Sequence, residues 1–250
     1  MKSKPVLFLI LLCICLSSFK VNQKLTIYMI GDSTMANKEL KNNNPERGWG
    51  QMLSKFFDDR ITVDNRALNG RSSKSFIDEG HWKKVLDSLK AGDYVFIQFG
   101  HNDSKPDSAH HTDPRTTYRA NLIRYIKETQ AKGAHPVLFT SIVRRKFDSD
   151  GKLADTHGDY LLVVRELATE MNVPMIDLEQ KTRKMVEKLG PEESKKLYMW
   201  FEPGVYEKFA KGSQDDTHLN VNGATQVAQL AVEGIKELKL EIVQYLKNNR

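Results

Sequence analysis

Short apolar runs alternate along this chain with longer amphipathic stretches, and several of the runs end in a small polar motif. Leu25 to Ile30 (LTIYMI), Ile61 to Ala67, Tyr94 to Phe99 (YVFIQF), Pro136 to Thr140 (PVLFT) and Val173 to Ile176 read as five strands. Only Gln98 interrupts the run Tyr94 to Phe99, as expected of a strand covered on both faces. Gly48 to Phe57, Phe76 to Leu89, Thr116 to Ala131, Tyr160 to Met171, Leu178 to Leu189 and Val221 to Leu238 carry apolar residues at helical spacing. Strands alternating with helices need crossover connections, which predicts an α/β fold with one doubly wound, flavodoxin-like, five-stranded parallel sheet flanked by helices. Ligands then bind beyond the carboxyl ends of the strands. Met35 to Arg47 and Lys196 to Asp216 are expected as long loops.

The 250 residues suit one such domain rather than two. The first twenty differ in kind: Lys2 and Lys4 precede an apolar run, Val6 to Leu16, followed by Ser17 and Ser18. That pattern predicts a signal peptide over 1–20, one folded domain over 21–250, and a secreted or periplasmic protein. Bulky Leu12 and Ile14 precede Cys13 and Cys15, which argues against a lipid anchor there. Both cysteines fall in the leader, so the mature domain has neither disulfides nor thiolate chemistry. The net charge of +6 is scattered, with no basic patch of the kind nucleic acid requires, and no second membrane segment occurs.

Four polar blocks sit where a parallel sheet would gather them at one edge. Gly31-Asp32-Ser33-Thr34 follows the first strand, Asn69-Gly70-Arg71-Ser72 the second, and Gly100-His101-Asn102-Asp103 the third; Asp215-Asp216-Thr217-His218 precedes the last helix. Each alone is an ordinary turn or helix start. Together, in this order, they resemble the SGNH/GDSL hydrolases, nearest in pattern to the rhamnogalacturonan acetylesterase branch with its GDST block. The resemblance implies a serine esterase without cofactor or metal. Ser33 is its nucleophile and His218 its base. Asp215 orients the base, because the family pattern is Asp-x-x-His, although spacing alone would also allow Asp216. The Ser33 and Gly70 backbone N–H groups and the Asn102 amide form the oxyanion hole. A glycine at 70 would let the backbone approach substrate closely.

The remaining polar residues are given lesser roles. His101 and Asp103 are expected to shape their loop, His110, His111 and His157 to lie solvated in loops, and Trp49 to pack. Arg71 and Trp200 are candidates for substrate binding: one could pair with a uronate carboxylate, the other could stack on a sugar. An acetylated polysaccharide or oligosaccharide is the expected partner, rhamnogalacturonan first and xylan second.

Three rival readings fit less well. An α/β-hydrolase elbow needs Gly-x-Ser-x-Gly, and Met35 stands where its second glycine belongs. A metal-dependent phosphoesterase would want Gly-Asn-His, whereas this chain has Gly-His-Asn and no upstream Asp-x-His. A carbohydrate-binding module would need no triad.

Overall fold

The computed structural model describes residues 24–247. The leader reading of 1–20, with Cys13 and Cys15, lies outside them. No helix among the described residues is long and apolar enough to cross a membrane.

Five parallel strands form the sheet: β1 (Leu25–Gly31), β2 (Ile61–Asn65), β3 (Tyr94–Gln98), β4 (His135–Phe139) and β5 (Met175–Ile176), in the order β2-β1-β3-β4-β5. The period of two along each strand divides the core. Ile27, Met29, Phe96 and Phe139 face the layer that contains α1 (Trp49–Leu53) and α7 (Val221–Glu237). Tyr28, Ile30, Val95, Ile97 and Leu138 face α2 (Ser73–Asp78), α3 (His81–Ser88), α4 (Arg119–Ala131) and α5 (Asp159–Glu170). Every residue of β3 is buried, including Gln98. β1 lies between β2 and β3, so successive connections leave it in opposite directions and a crevice opens beyond its carboxyl end.

The structure departs from the sequence expectations where backbone conformation overrides apolar spacing. The helix expected over Phe76 to Leu89 is two helices, because Gly80 has φ 74° and breaks the chain between α2 and α3. Helix α6 (Leu178–Glu193) runs beyond Leu189, with a break at Gly190, where φ is 73° and ψ 179°. The stretch Thr116 to Ala131 begins as a π-turn over Pro114–Tyr118 before α4.

The largest correction concerns the loop expected over Lys196 to Asp216. Much of it is an antiparallel hairpin, β6 (Tyr198–Phe201) with β7 (Ser213–Leu219). Its second strand, SQDDTHL, is too polar to show the alternation by which strands are recognised. The ladder slips part-way: Met199 pairs with Asp215, and its neighbour Tyr198 pairs with Leu219. Asp216, Thr217 and His218 therefore bulge from the ladder, as bulged residues often do beside functional sites.

Candidate active site

Ser33 stands in the turn that leaves β1 and is partly exposed. Asp32 closes that turn by accepting backbone bonds from Met35 (3.2 Å) and Ala36 (3.0 Å). A buried chain of side-chain bonds fixes it from below. Trp49 Nε1 donates to Gln98 Oε1, Gln98 Nε2 donates to Thr34 Oγ1, and Thr34 Oγ1 donates to Asp32 Oδ1, each at 2.8 Å. The single polar residue of the third strand thus locks the residue after the serine. Trp49 packs as expected and lies against Phe139. Burial raises the Asp32 carboxyl against the two bonds it accepts from Thr34. Its Oδ2 has no partner among the described residues.

His218 arrives from the bulge of β7. Its Nε2 is 2.8 Å from Ser33 Oγ, and its Nδ1 is 2.7 Å from Asp215 Oδ2. Asp215 Oδ1 also accepts the backbone N–H groups of Thr217 (2.7 Å) and His218 (3.0 Å). Burial would raise the Asp215 carboxyl, but the bond and charge of His218, with these two N–H groups, outweigh it and bring it down to about 2. An ionised Asp215 accepts a hydrogen bond from Nδ1–H and so leaves Nε2 free to accept one from the Ser33 hydroxyl.

Asp216 is turned elsewhere, and the carboxylate beside the His218 imidazole is that of Asp215. Its Oδ1 accepts Arg145 Nε (2.6 Å) and Trp200 Nε1 (2.7 Å), and its carbonyl accepts the Arg145 backbone N–H (2.7 Å). The Arg145 guanidinium lies 4.7 Å from the Trp200 ring centre, and Lys195 Nζ lies at the same distance. Asp216 is thus the peg of a segment that its own ladder has released. Trp200 is committed to this peg and to two cations rather than offered as a free sugar platform. Nothing in local sequence points to Arg145, because its partner is 71 positions away.

Gly70 has φ 76°, and a Cβ there would meet nothing within 4 Å. The glycine is required by its left-handed backbone, and crowding is not the reason. Asn102 is buried and donates from Nδ2 to the Arg71 carbonyl at 3.0 Å, which joins the second and third blocks. Asp103 reinforces that joint: it accepts Ser73 N (3.0 Å), Ser73 Oγ (2.5 Å) and Thr112 Oγ1 (3.0 Å). Burial pushes its carboxyl up to about 7 against these bonds. Ser72 and Ser75 bond reciprocally as a capping box, which fixes the start of α2 beside Gly70. The Arg71 guanidinium is paired with Glu79 at 2.8 Å and with the Asn69 carbonyl at 3.0 Å, so the structure gives it an internal partner in place of a ligand.

His157 corrects the expectation of a solvated loop histidine. It is buried against His101, with Nε2 3.1 Å from His101 Nδ1. Burial, the neighbouring His101 and Arg144 bring His157 down to about 2, and burial likewise holds His101 well below its ordinary value. Both rings are therefore neutral supports of the third block. His110 and His111 do lie in a loop outside the site.

The arrangement suits acyl transfer: a nucleophile hydrogen-bonded to a base, a carboxylate behind the base, and candidate oxyanion donors on the Ser33 turn and the two loops that carry Gly70 and Asn102. Among the described residues no group of three or more His, Asp or Glu side chains is placed to hold a metal ion. A cavity of about 680 Å³ lies between α6 and α7 and includes none of the four blocks.

The sequence model of the GDSL-like lipase/acylhydrolase family matches residues 29–226. This chain belongs to that family. It is a carboxylic ester hydrolase. It is 39% identical over 226 residues to the rhamnogalacturonan acetylesterase RhgT of Bacillus subtilis, across 90% of this chain and 96% of that one. It is 37% identical over 225 residues to a probable rhamnogalacturonan acetylesterase, YesY, of the same organism, across 90% and 98% of the two chains. The crystal structure of the B. subtilis protein YxiM superposes with a TM-score of 0.74 at 30% identity over 87% of this chain, which spans 57% of that protein. An acetylxylan esterase from Geobacillus stearothermophilus, Axe2, has the same fold, with a TM-score of 0.62 at 18% identity over 86% of this chain and 96% of that one.

Proposed function

We propose that this chain is an exported carbohydrate O-acetylesterase that removes acetyl groups from rhamnogalacturonan through a Ser33–His218–Asp215 triad. The observation that carries the reading is the chain of short contacts from Ser33 Oγ through His218 to Asp215. The B. subtilis relative named for rhamnogalacturonan, matched over 90% of this chain, supports the substrate.

The chemistry follows from the geometry. Ser33 Oγ attacks the acetyl carbonyl as its proton passes to His218 Nε2. The oxyanion is met by the Ser33 and Gly70 N–H groups and by the Asn102 amide. One Asn102 N–H is held by the Arg71 carbonyl, which leaves the other as the proposed donor to the oxyanion. The tetrahedral adduct expels the sugar oxygen, which takes the proton from Nε2 and leaves as the free hydroxyl. A water then gives its proton to Nε2, attacks the acetyl-serine, and releases acetate and Ser33. Asp215 stays ionised and stabilises the imidazolium in both halves. No step calls for a metal.

The test is acetate release from acetylated rhamnogalacturonan, acetylated xylan and a small aryl acetate. The reading predicts the highest kcat/KM on rhamnogalacturonan. Preference for xylan would keep the esterase and remove the substrate.

A further inference from the structure

Another hollow lies on segments tied by backbone bonds to the neighbours of Ser33 and His218. About 430 Å³ opens between the Met35 to Arg47 loop, the loop that follows β6 and the start of α7. Two backbone bonds set its place. Arg47 N donates to the carbonyl of Leu219, the residue after His218, and Trp49 N donates to that of Thr34, the residue after Ser33, both at 2.9 Å. The segment that carries Arg47 is therefore tied at both ends to the residues that follow the base and the nucleophile. Gly48 makes this possible, since a Cβ there would stand 2.2 Å from the Ala36 carbonyl oxygen.

The lining is unusual for a surface. Leu40, Val205 and Val221 line the hollow at 66%, 56% and 42% exposure, and they are half of the six exposed large apolar side chains among the described residues. Such clustering marks a binding surface more often than chance scatter does. Arg47 lies among them. Its Nη1 is occupied by the carbonyls of Asn44 (2.7 Å) and Glu46 (2.6 Å). Its Nε and Nη2 have no hydrogen-bond partner among the described residues. Those two N–H groups form the edge that grips a carboxylate in two parallel bonds. Nearby Glu46 is already paired with Lys38 at 2.7 Å, and Glu207 at the rim is exposed to solvent with Lys208 beside it.

We infer that this hollow is a glycan subsite, in which Arg47 binds the carboxylate of a uronate next to the acetylated sugar. Leu40, Val205 and Val221 pack on the apolar methyl face of an adjoining 6-deoxyhexose. A rhamnogalacturonan backbone alternates these two groups, so one subsite reads both its charge and its methyl. The inference rests on the substrate reading above and moves the uronate contact from Arg71, which is paired with Glu79, to Arg47.

The experiment measures kcat/KM on acetylated rhamnogalacturonan and on an aryl acetate, and takes their ratio for wild type, Arg47→Met and the double variant Leu40→Ser/Val205→Ser. The ratio cancels any general loss of catalytic competence. It should fall about tenfold or more for Arg47→Met, as expected for a charge-assisted bidentate contact. Added salt should lower the wild-type ratio and leave that of the variant unmoved. The double variant keeps every hydrogen bond of the loops and should lower the ratio about threefold, which decides the matter should Arg47→Met not fold. Ratios within twofold of wild type in the folded variants would overturn the subsite alone. No acetate from rhamnogalacturonan with the wild-type enzyme would instead overturn the substrate reading beneath it.

Discussion

Removing Asp216 should harm the protein more than removing Arg145, although the two residues share one ion pair. The Arg145 side chain is only 8% exposed and that of Asp216 38%. Asp216→Ala strands a guanidinium at depth, a change that costs roughly 3–5 kcal/mol when nothing compensates it. Here the Pro191 carbonyl, 2.5 Å from Nη1, and the Trp200 ring still attend the charge, and solvent reaches the vacated side. Those contacts reduce the expected cost to about 2–3 kcal/mol. Arg145→Met leaves a carboxylate that water can reach and Trp200 Nε1 still binds, at a cost of about 1 kcal/mol. In a domain of this size each kcal/mol moves Tm by about 2–4 °C. Thermal unfolding should therefore fall by about 4–12 °C for Asp216→Ala and about 2–4 °C for Arg145→Met. The double variant should be no less stable than Asp216→Ala, because no charge remains to be stranded. Both single variants should also lower kcat on an aryl acetate by roughly 10- to 100-fold with little change in KM, since the bulge that carries His218 loses its peg. Equal or reversed destabilisation, or costs that simply add in the double variant, would refute the reasoning.

Three further outcomes follow from the same geometry. Asn102→Ala should lower kcat by roughly 10²-fold while KM stays within a few-fold, because a proposed oxyanion donor serves charge that exists only in the transition state; a raised KM at unchanged kcat would make Asn102 a ground-state contact. Asp103 has its carboxyl raised from an ordinary 3.8 to about 7, so the folded state holds this proton longer than the unfolded one. Its contribution is full below about pH 4 and is lost as pH rises through about 7, on the order of 4 kcal/mol at most, so Asp103→Asn should flatten the fall in Tm between pH 5 and 8, and an unchanged slope would contradict this. Incubation with EDTA should leave aryl acetate hydrolysis unchanged, and loss of rate restored by a divalent cation would bring back the phosphoesterase-like alternative.

The parallel sheet was legible because its strands are continuous apolar runs, and the four blocks because each follows a strand or precedes a helix. Gln98 was visible as the one polar residue in such a run, though its bonds to Trp49 and Thr34 were not. What escaped was encoded by backbone or by distance. The polar SQDDTHL segment hides a strand, Gly80 divides a helix that apolar spacing joined, and His157 is buried only because the fold brings His101 to it. The ion pairs of Arg71 and Arg145 join residues that no local pattern links.

The central claim is that Ser33 is the nucleophile activated by His218. The most direct test is the kcat/KM of Ser33→Ala on an aryl acetate and on acetylated rhamnogalacturonan, with Tm and circular dichroism to establish that the variant is folded. The account predicts a loss of roughly 10⁴-fold or more on both substrates. A folded Ser33→Ala enzyme that keeps more than a tenth of the wild-type rate would contradict it.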